Sequence, residues 1–139
     1  MSNMIYLIDS DKARGAWPRV RNVLEPAIAA SGGRWRPEYV LAALSLGEQE
    51  LWVIVDDDGE VRGAAVTQAM NYPEKKMLAI HYLGGEGFDE WFNELSDSLT
   101  DYARRTGCDA IECNARAGFW KWFKNDGFER ASVFYEKRV

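Results

Sequence analysis

Apolar residues along the chain switch between two spacings, and the switches mark out its elements. Residues 4–8, MIYLI, form an apolar run of strand length, closed by the polar DSDK. Trp17, Val20, Val23, Leu24, Ala27 and Ile28 then recur at steps of three and four, the spacing of one helix face. Pro26 falls inside that pattern and predicts a kink or break, and SGG closes the segment. In RPEYVLAALSLG, Pro37 stands where a first helical turn tolerates proline and Gly47 where a helix ends, which predicts a shorter second helix. LWVIV reads as a strand, DDDGE as a hairpin turn on its Asp-Gly pair, and VRGAAVTQAM as the returning strand. Pro73 marks another turn, and KMLAIHYL is a third strand in succession. From Phe88, the positions Trp91, Phe92, Leu95, Leu99, Tyr102 and Ala103 keep helical spacing as far as RRTG, whose basic residues and glycine suit a helix C-terminus. CDAIEC is a strand, AGFWKWFKNDGF a short helix ended at Gly127, and RASVFYEKRV a closing strand.

The predicted order is β-α-α-β-β-β-α-β-α-β, an α/β (α+β) pattern. Three consecutive strands pair antiparallel, and a crossover helix lays the next one parallel to the third. The sheet is therefore mixed and mostly antiparallel, with helices on both faces. With 139 residues and neither a repeat nor a linker, residues 1–139 read as one domain with room for a real core.

Charge narrows the partners. Residues 1–36 hold six Lys/Arg against three acids, residues 37–113 five against sixteen, and residues 114–139 six against three. The acidic middle repels phosphate and argues against general nucleic-acid binding. Cys108 and Cys113 on one strand stand about 16 Å apart, too far for a disulfide, and two free thiols fit a reducing compartment. MIYLI is too short to span a membrane or to serve as a signal peptide, so the expectation is a soluble, cytoplasmic protein. DDDGE offers carboxylates but lacks the remaining pattern of a calcium loop, and no metal site is expected. Four rings in five helical positions, Phe119, Trp120, Trp122 and Phe123, cannot all face one side. Phe119, Trp120 and Trp122, with Lys121 and Lys124, make a candidate protein-binding edge.

The chemistry centres on HYLGGEGFDEW, residues 81–91, where glycines join a strand to a helix. Such a junction either cradles an anion or is a plain turn before an acid-capped helix, and the stretch itself contains no Lys or Arg.

Three stretches carry a family resemblance: YARRTGCDAIE, residues 102–112; FWKWFKNDGF, with its Gly127-Phe128 pair; and the hairpin LWVIVDDDGEVRGAAVT, with Gly63 opening the returning strand. Together with the element order they resemble the GNAT superfamily of N-acetyltransferases over nearly the whole chain. The chain is most similar to the small acetyltransferase-like proteins of tailed bacteriophages and prophages. Some of those are taken to be enzymes, others virion or head-assembly components. The resemblance implies acetyl-CoA as cofactor, its pantetheine arm on backbone groups ending the fourth strand and its diphosphate at a helix N-terminus.

Carried onto this sequence, those positions are Tyr82, Leu83, Gly84, Gly85, Gly87 and Phe88, with Asn114 at the end of the fifth strand. One register places the family's Arg/Gln-x-x-Gly-x-Gly/Ala loop on residues 87–92, where Glu90 and Phe92 occupy the glycine positions; a slipped register uses GGEG, residues 84–87. Phe123 stands where many members carry a proton-donating Tyr. His81, the lone histidine, and Glu112 on the fifth strand are the candidate bases; strand alternation predicts that Tyr82 points away from His81, and Tyr135 lies on the last strand. Two functions stay open. One is direct acetyl transfer from acetyl-CoA to an amine; the other is a non-catalytic, GNAT-shaped component of an assembly such as a phage particle, in the cytoplasm or the virion.

Overall fold

In a computed structural model, which describes residues 3–139, the sheet runs in sequence order. Its strands are β1 (Met4–Ile8), β2 (Glu50–Val55), β3 (Val61–Asn71), β4 (Lys76–Gly85) and β5 (Ala110–Cys113). The first four pair antiparallel and β5 lies parallel to β4, so the mixed, mostly antiparallel α/β sheet follows the sequence pattern. The helices are α1 (Ala13–Ala29), α2 (Pro37–Ser45), α3 (Phe88–Arg105) and the single turn α4 (Trp120–Phe123).

Alternation along the strands divides the core in two. On one face, α1 and α2 bring Trp17, Val20, Leu24, Ile28, Val40 and Leu44 against Leu51, Val53, Ala64, Val66 and Tyr82. On the other, α3 packs Trp91, Phe92, Leu95 and Leu99 against Trp52, Ile54, Ala65, Leu78, Ile80 and Leu83. Trp91 is fully buried, and its Nε1 donates to the carbonyl of Glu86 at 2.8 Å. That ring fits because the residue beneath it is Gly63, where an added Cβ would meet Trp91 at 2.5 Å. The DDDGE turn closes on itself: Asp56 Oδ1 accepts from the amides of Asp58 and Glu60 at 2.9 and 3.0 Å, and Gly59 takes φ +82°.

Two elements depart from the sequence pattern. α1 runs unbroken through Pro18 and Pro26; five buried side chains on one face hold it against the loss of two backbone donors. Residues 129–139 form no strand. They are exposed and lie outside the sheet, and no backbone hydrogen bond joins them to the rest of the described chain. Their β-forming side chains have no free strand alongside within their own chain's arrangement, and propensity without a ladder does not make a strand. Among the described residues, no helix is long and apolar enough to cross a membrane.

Candidate functional site

β4 is irregular where the chemistry is expected. Its register against β3 shifts between Val66–Tyr82 and Thr67–Ile80, which leaves His81 as an extra residue with no partner across the ladder. A bulge of this kind bends the strand and breaks strict alternation. The prediction that Tyr82 turns away from His81 is corrected here: Tyr82 packs with α1, and His81 bonds Gln68, which shares that face with Val66 by uninterrupted alternation along β3. The two rings stand 6.2 Å apart.

The pairing of β4 with β5 also ends at this point. It covers Met77–Ile80 against Ala110–Cys113 and goes no further. From His81 to Gly85, β4 therefore has a ladder neighbour on its β3 side only, because β5 ends at Cys113, the partner of Ile80. Asn114 is exposed just beyond the end of β5. At Cys113, the partner of Ile80, burial pushes the thiol up to about 12, which disfavours the thiolate.

Near the end of this pairing the polar side chains gather. Gln68 pairs with Ala79 and Ala79 with Glu112, so Gln68 and Glu112 stand abreast on the α1 face with His81 one step along. His81 Nε2 lies 2.8 Å from Gln68 Oε1, which also accepts from Gln49 Nε2 at 3.4 Å. With the amide assigned this way, His81 carries its proton on Nε2 and keeps the Nδ1 lone pair. Burial lowers the His81 pKa, and the Glu112 carboxylate partly opposes it. Glu112 Oε1 accepts from the Tyr72 hydroxyl at 2.7 Å, a bond that raises the pKa of the phenol. Beside them, Tyr72, Pro73, Glu74, Lys75, Met77 and Glu112 line a depression of about 490 Å³.

Past the open edge of β4, Gly87 takes φ +69° and starts α3 with no side-chain cap. The first amides of α3, those of Phe88 and Asp89, have no carbonyl one turn back to accept them. The cation absent from the loop comes from β3. Arg62 reaches Glu86 and Glu90, each at 3.7 Å, and its Nε is buried without a partner. Sequence reasoning missed Arg62. Counting outward from the Tyr72 turn would have found it, but only with the bulge included, since the bulge moves Arg62 from opposite Gly85 to opposite Glu86.

The other predicted positions divide by role. Leu83 is core on the α3 face. Gly84 makes room for α1, since a Cβ there would collide with the carbonyl of Val23, and Gly85 takes φ +134° against the backbone of Arg62 and Gly63. Phe88 lies tilted against Trp91 at 4.6 Å and against Trp122 at 4.9 Å, and Trp122 Nε1 donates to Asp89 Oδ1 at 2.6 Å. These contacts tie the first turn of α3 to α4. In α4 and its lead-in, Phe119 and Phe123 turn into the core, Trp120 and Trp122 are half-buried, and Lys121 and Lys124 are exposed. Lys121 Nζ covers the Trp122 ring at 4.3 Å.

No protein-family model and no curated protein sequence matches the chain, but its fold is shared with solved acetyltransferases. An aminoglycoside acetyltransferase from an uncultured soil metagenomic sample superposes with a TM-score of 0.75 at 14% identity, over 100% of this chain and 99% of that one. The ribosomal-protein-alanine N-acetyltransferase of Brucella melitensis biovar Abortus 2308 gives 0.72 at 16%, over 99% of each chain. Glucosamine-6-phosphate N-acetyltransferase from Arabidopsis thaliana gives 0.66 at 12%, again over 99% of each. At these identities the likeness establishes the fold alone, one shared with these acetyltransferases.

Proposed function

We propose that the chain is an N-acyltransferase that moves an acetyl group from acetyl-CoA directly to an amine. One observation carries this reading: the pairing of β4 with β5 ends at Ile80, next to the bulged His81, so an open strand edge and a titratable base stand side by side. The residues present fit the cofactor. The unpaired β4 edge from His81 to Gly85 would hold the amide-bearing arm, and the bare N-terminus of α3 with Arg62 would hold the diphosphate. Acetyl-CoA supplies the activated acetyl thioester.

The chain's own residues do the rest. His81, held neutral by burial, presents Nδ1 to take the proton of an amine, and Glu112 stabilises the imidazolium that results. The amine enters over Tyr72 and Glu112. Phe123 offers no phenol, so holding amine and thioester together carries much of the acceleration.

A second reading, a non-catalytic member of an assembly such as a phage particle, draws on one observation. The Asp89–Trp122 hydrogen bond and the Phe88–Trp122 ring contact tie α4 to the first turn of α3, where the diphosphate would sit. Under it, Trp120, Trp122, Lys121 and Lys124 meet a partner protein and the chain resides in the virion; under the first, it works in the cytoplasm.

Isothermal titration with acetyl-CoA and CoA separates the two. The expected result is micromolar binding, weakened about tenfold in Arg62→Gln by loss of a charge-assisted contact. Absence of heat at about 1 mM cofactor overturns the acyltransferase reading. Gly85 is the wrong position to vary, since any side chain there strikes the β3 backbone.

A further inference from the structure

We infer that Gln68, held in turn by Gln49, is a positioning residue that fixes which ring nitrogen of His81 carries the proton. The consequence for catalysis rests on the acyltransferase reading; the tautomer itself follows from geometry. One atom is decisive. Gln68 Oε1 lies 2.8 Å from His81 Nε2 and 3.4 Å from Gln49 Nε2, so the same end of the Gln68 amide meets both neighbours. The sheet brings the three together. Glu50 pairs with Thr67, which sets Gln49 abreast of Gln68, and β3 runs between β2 and β4, so Gln68 stands between Gln49 and the bulged His81.

An amide end shared in this way has two coherent settings. With oxygen towards both neighbours, Gln68 accepts from Gln49 and from the Nε2–H of His81, and Nδ1 keeps its lone pair. With nitrogen there, Gln68 donates to both, Gln49 turns its oxygen inward, and the His81 proton sits on Nδ1. Any other combination sets donor against donor or acceptor against acceptor, so the three groups switch together. The far end of Gln49 decides between the settings. Its Oε1 is buried with no hydrogen-bond partner among the described residues. In the second setting the amide nitrogen would occupy that place, and buried N–H donors without an acceptor are tolerated less than a carbonyl oxygen without a donor. The oxygen setting therefore wins.

The same setting suits the ring before and after it takes a proton. In the imidazolium both nitrogens are donors, and only the oxygen of Gln68 can receive Nε2–H. Proton uptake at Nδ1 thus requires no amide to rotate, which is the advantage of a dipole oriented before the reaction. Glu112 does not compete for the choice: its Oε1 is taken by the Tyr72 hydroxyl, and the carboxylate acts on the ring as a charge. Gln49 acts only through Gln68.

His81 is the only histidine, so the untagged full chain with isotopically labelled histidine gives a single imidazole in long-range proton–nitrogen correlation spectra. At about pH 8 that ring is neutral. Expected is the pattern of the Nε2–H tautomer. Gln49→Glu offers Gln68 only acceptors, so it should turn the amide round and convert the pattern to Nδ1–H. Gln68→Glu, an acceptor in either sense, should keep Nε2–H, and Gln68→Met, of similar length, should give a mixture. On the acyltransferase reading, Gln49→Glu should also lower kcat about tenfold or more at unchanged CoA affinity. Four results overturn the inference: an Nδ1–H or mixed pattern in the unaltered chain, a pattern that Gln49→Glu leaves in place, one that Gln68→Met leaves in place, or a converted pattern with kcat unchanged. Failure to bind CoA would instead end the acyltransferase reading and leave the expected nitrogen patterns as they are.

Discussion

Two titrating side chains are held by burial on the side of their neutral forms, with opposite consequences. For His81 the folded pKa lies below the ordinary 6.5. Its contribution to stability is therefore complete above pH 6.5 and is lost as the pH falls through 6.5 towards the folded value. Under the proposed function, kcat/KM should show an acid limb with an apparent pKa below 6.5. His81→Gln should lower kcat about a hundredfold or more and remove that limb, with CoA affinity unchanged by titration. A limb that survives the substitution would take His81 out of proton transfer. For Glu50, burial raises the pKa and the hydrogen bond from Thr67 at 3.0 Å only partly offsets it. Its contribution is complete below 4.5 and is lost as the pH rises through the folded value, so at neutral pH the charge is a burden. Glu50→Gln keeps an oxygen for Thr67, and its Tm at pH 7 should rise by about 2–4 °C, with the gain gone at pH 4. An equal gain at both pH values would point to packing instead.

At the scale of the element, one substitution type should act with opposite sign at two glycines. Gly15 lies within α1 with nothing within 4 Å of an added Cβ, and Gly15→Ala should stabilise by about 0.5–1 kcal/mol. Gly84→Ala would drive a methyl into the carbonyl of Val23 and separate α1 from β4, at a cost of about 1–3 kcal/mol. Urea midpoints compare them directly, and a neutral Gly84→Ala would mean that the helix moves aside. Neither context is visible in the sequence, which shows only one glycine between Arg14 and Ala16 and another between Leu83 and Gly85. Helix and strand identities were legible because Trp91, Phe92, Leu95 and Leu99, like the hairpin on Asp56, repeat at periods that burial imposes. The bulge at His81 was not, since an extra residue in a ladder leaves no mark on composition. Residues 130–139 read as a strand because side chains announce propensity, but propensity without a ladder alongside makes none.

For the whole molecule, the site depends on elements far apart in the chain meeting at one end of the sheet. The loop after β4 was recognisable as a turn into a helix, but its cation, Arg62, comes from β3 and its aromatic bridge from α4. Such residues become legible only through register. The bridge has a consequence under the proposed function. Trp122→Phe keeps a ring on Phe88 and removes the donor to Asp89, so the association rate of CoA should rise several-fold in stopped-flow measurements. An unchanged rate would place the bridge away from the entry path.

The irregularity in β4 also separates two demands that usually compete. Leave His81 out of the count, and Leu78, Ile80 and Leu83 fall on one side with Ala79 and Tyr82 on the other, a seamless alternation. The imidazole is thus a spare link. It takes no place from any side chain that the interior needs, so selection was free to change that one identity without repacking either layer.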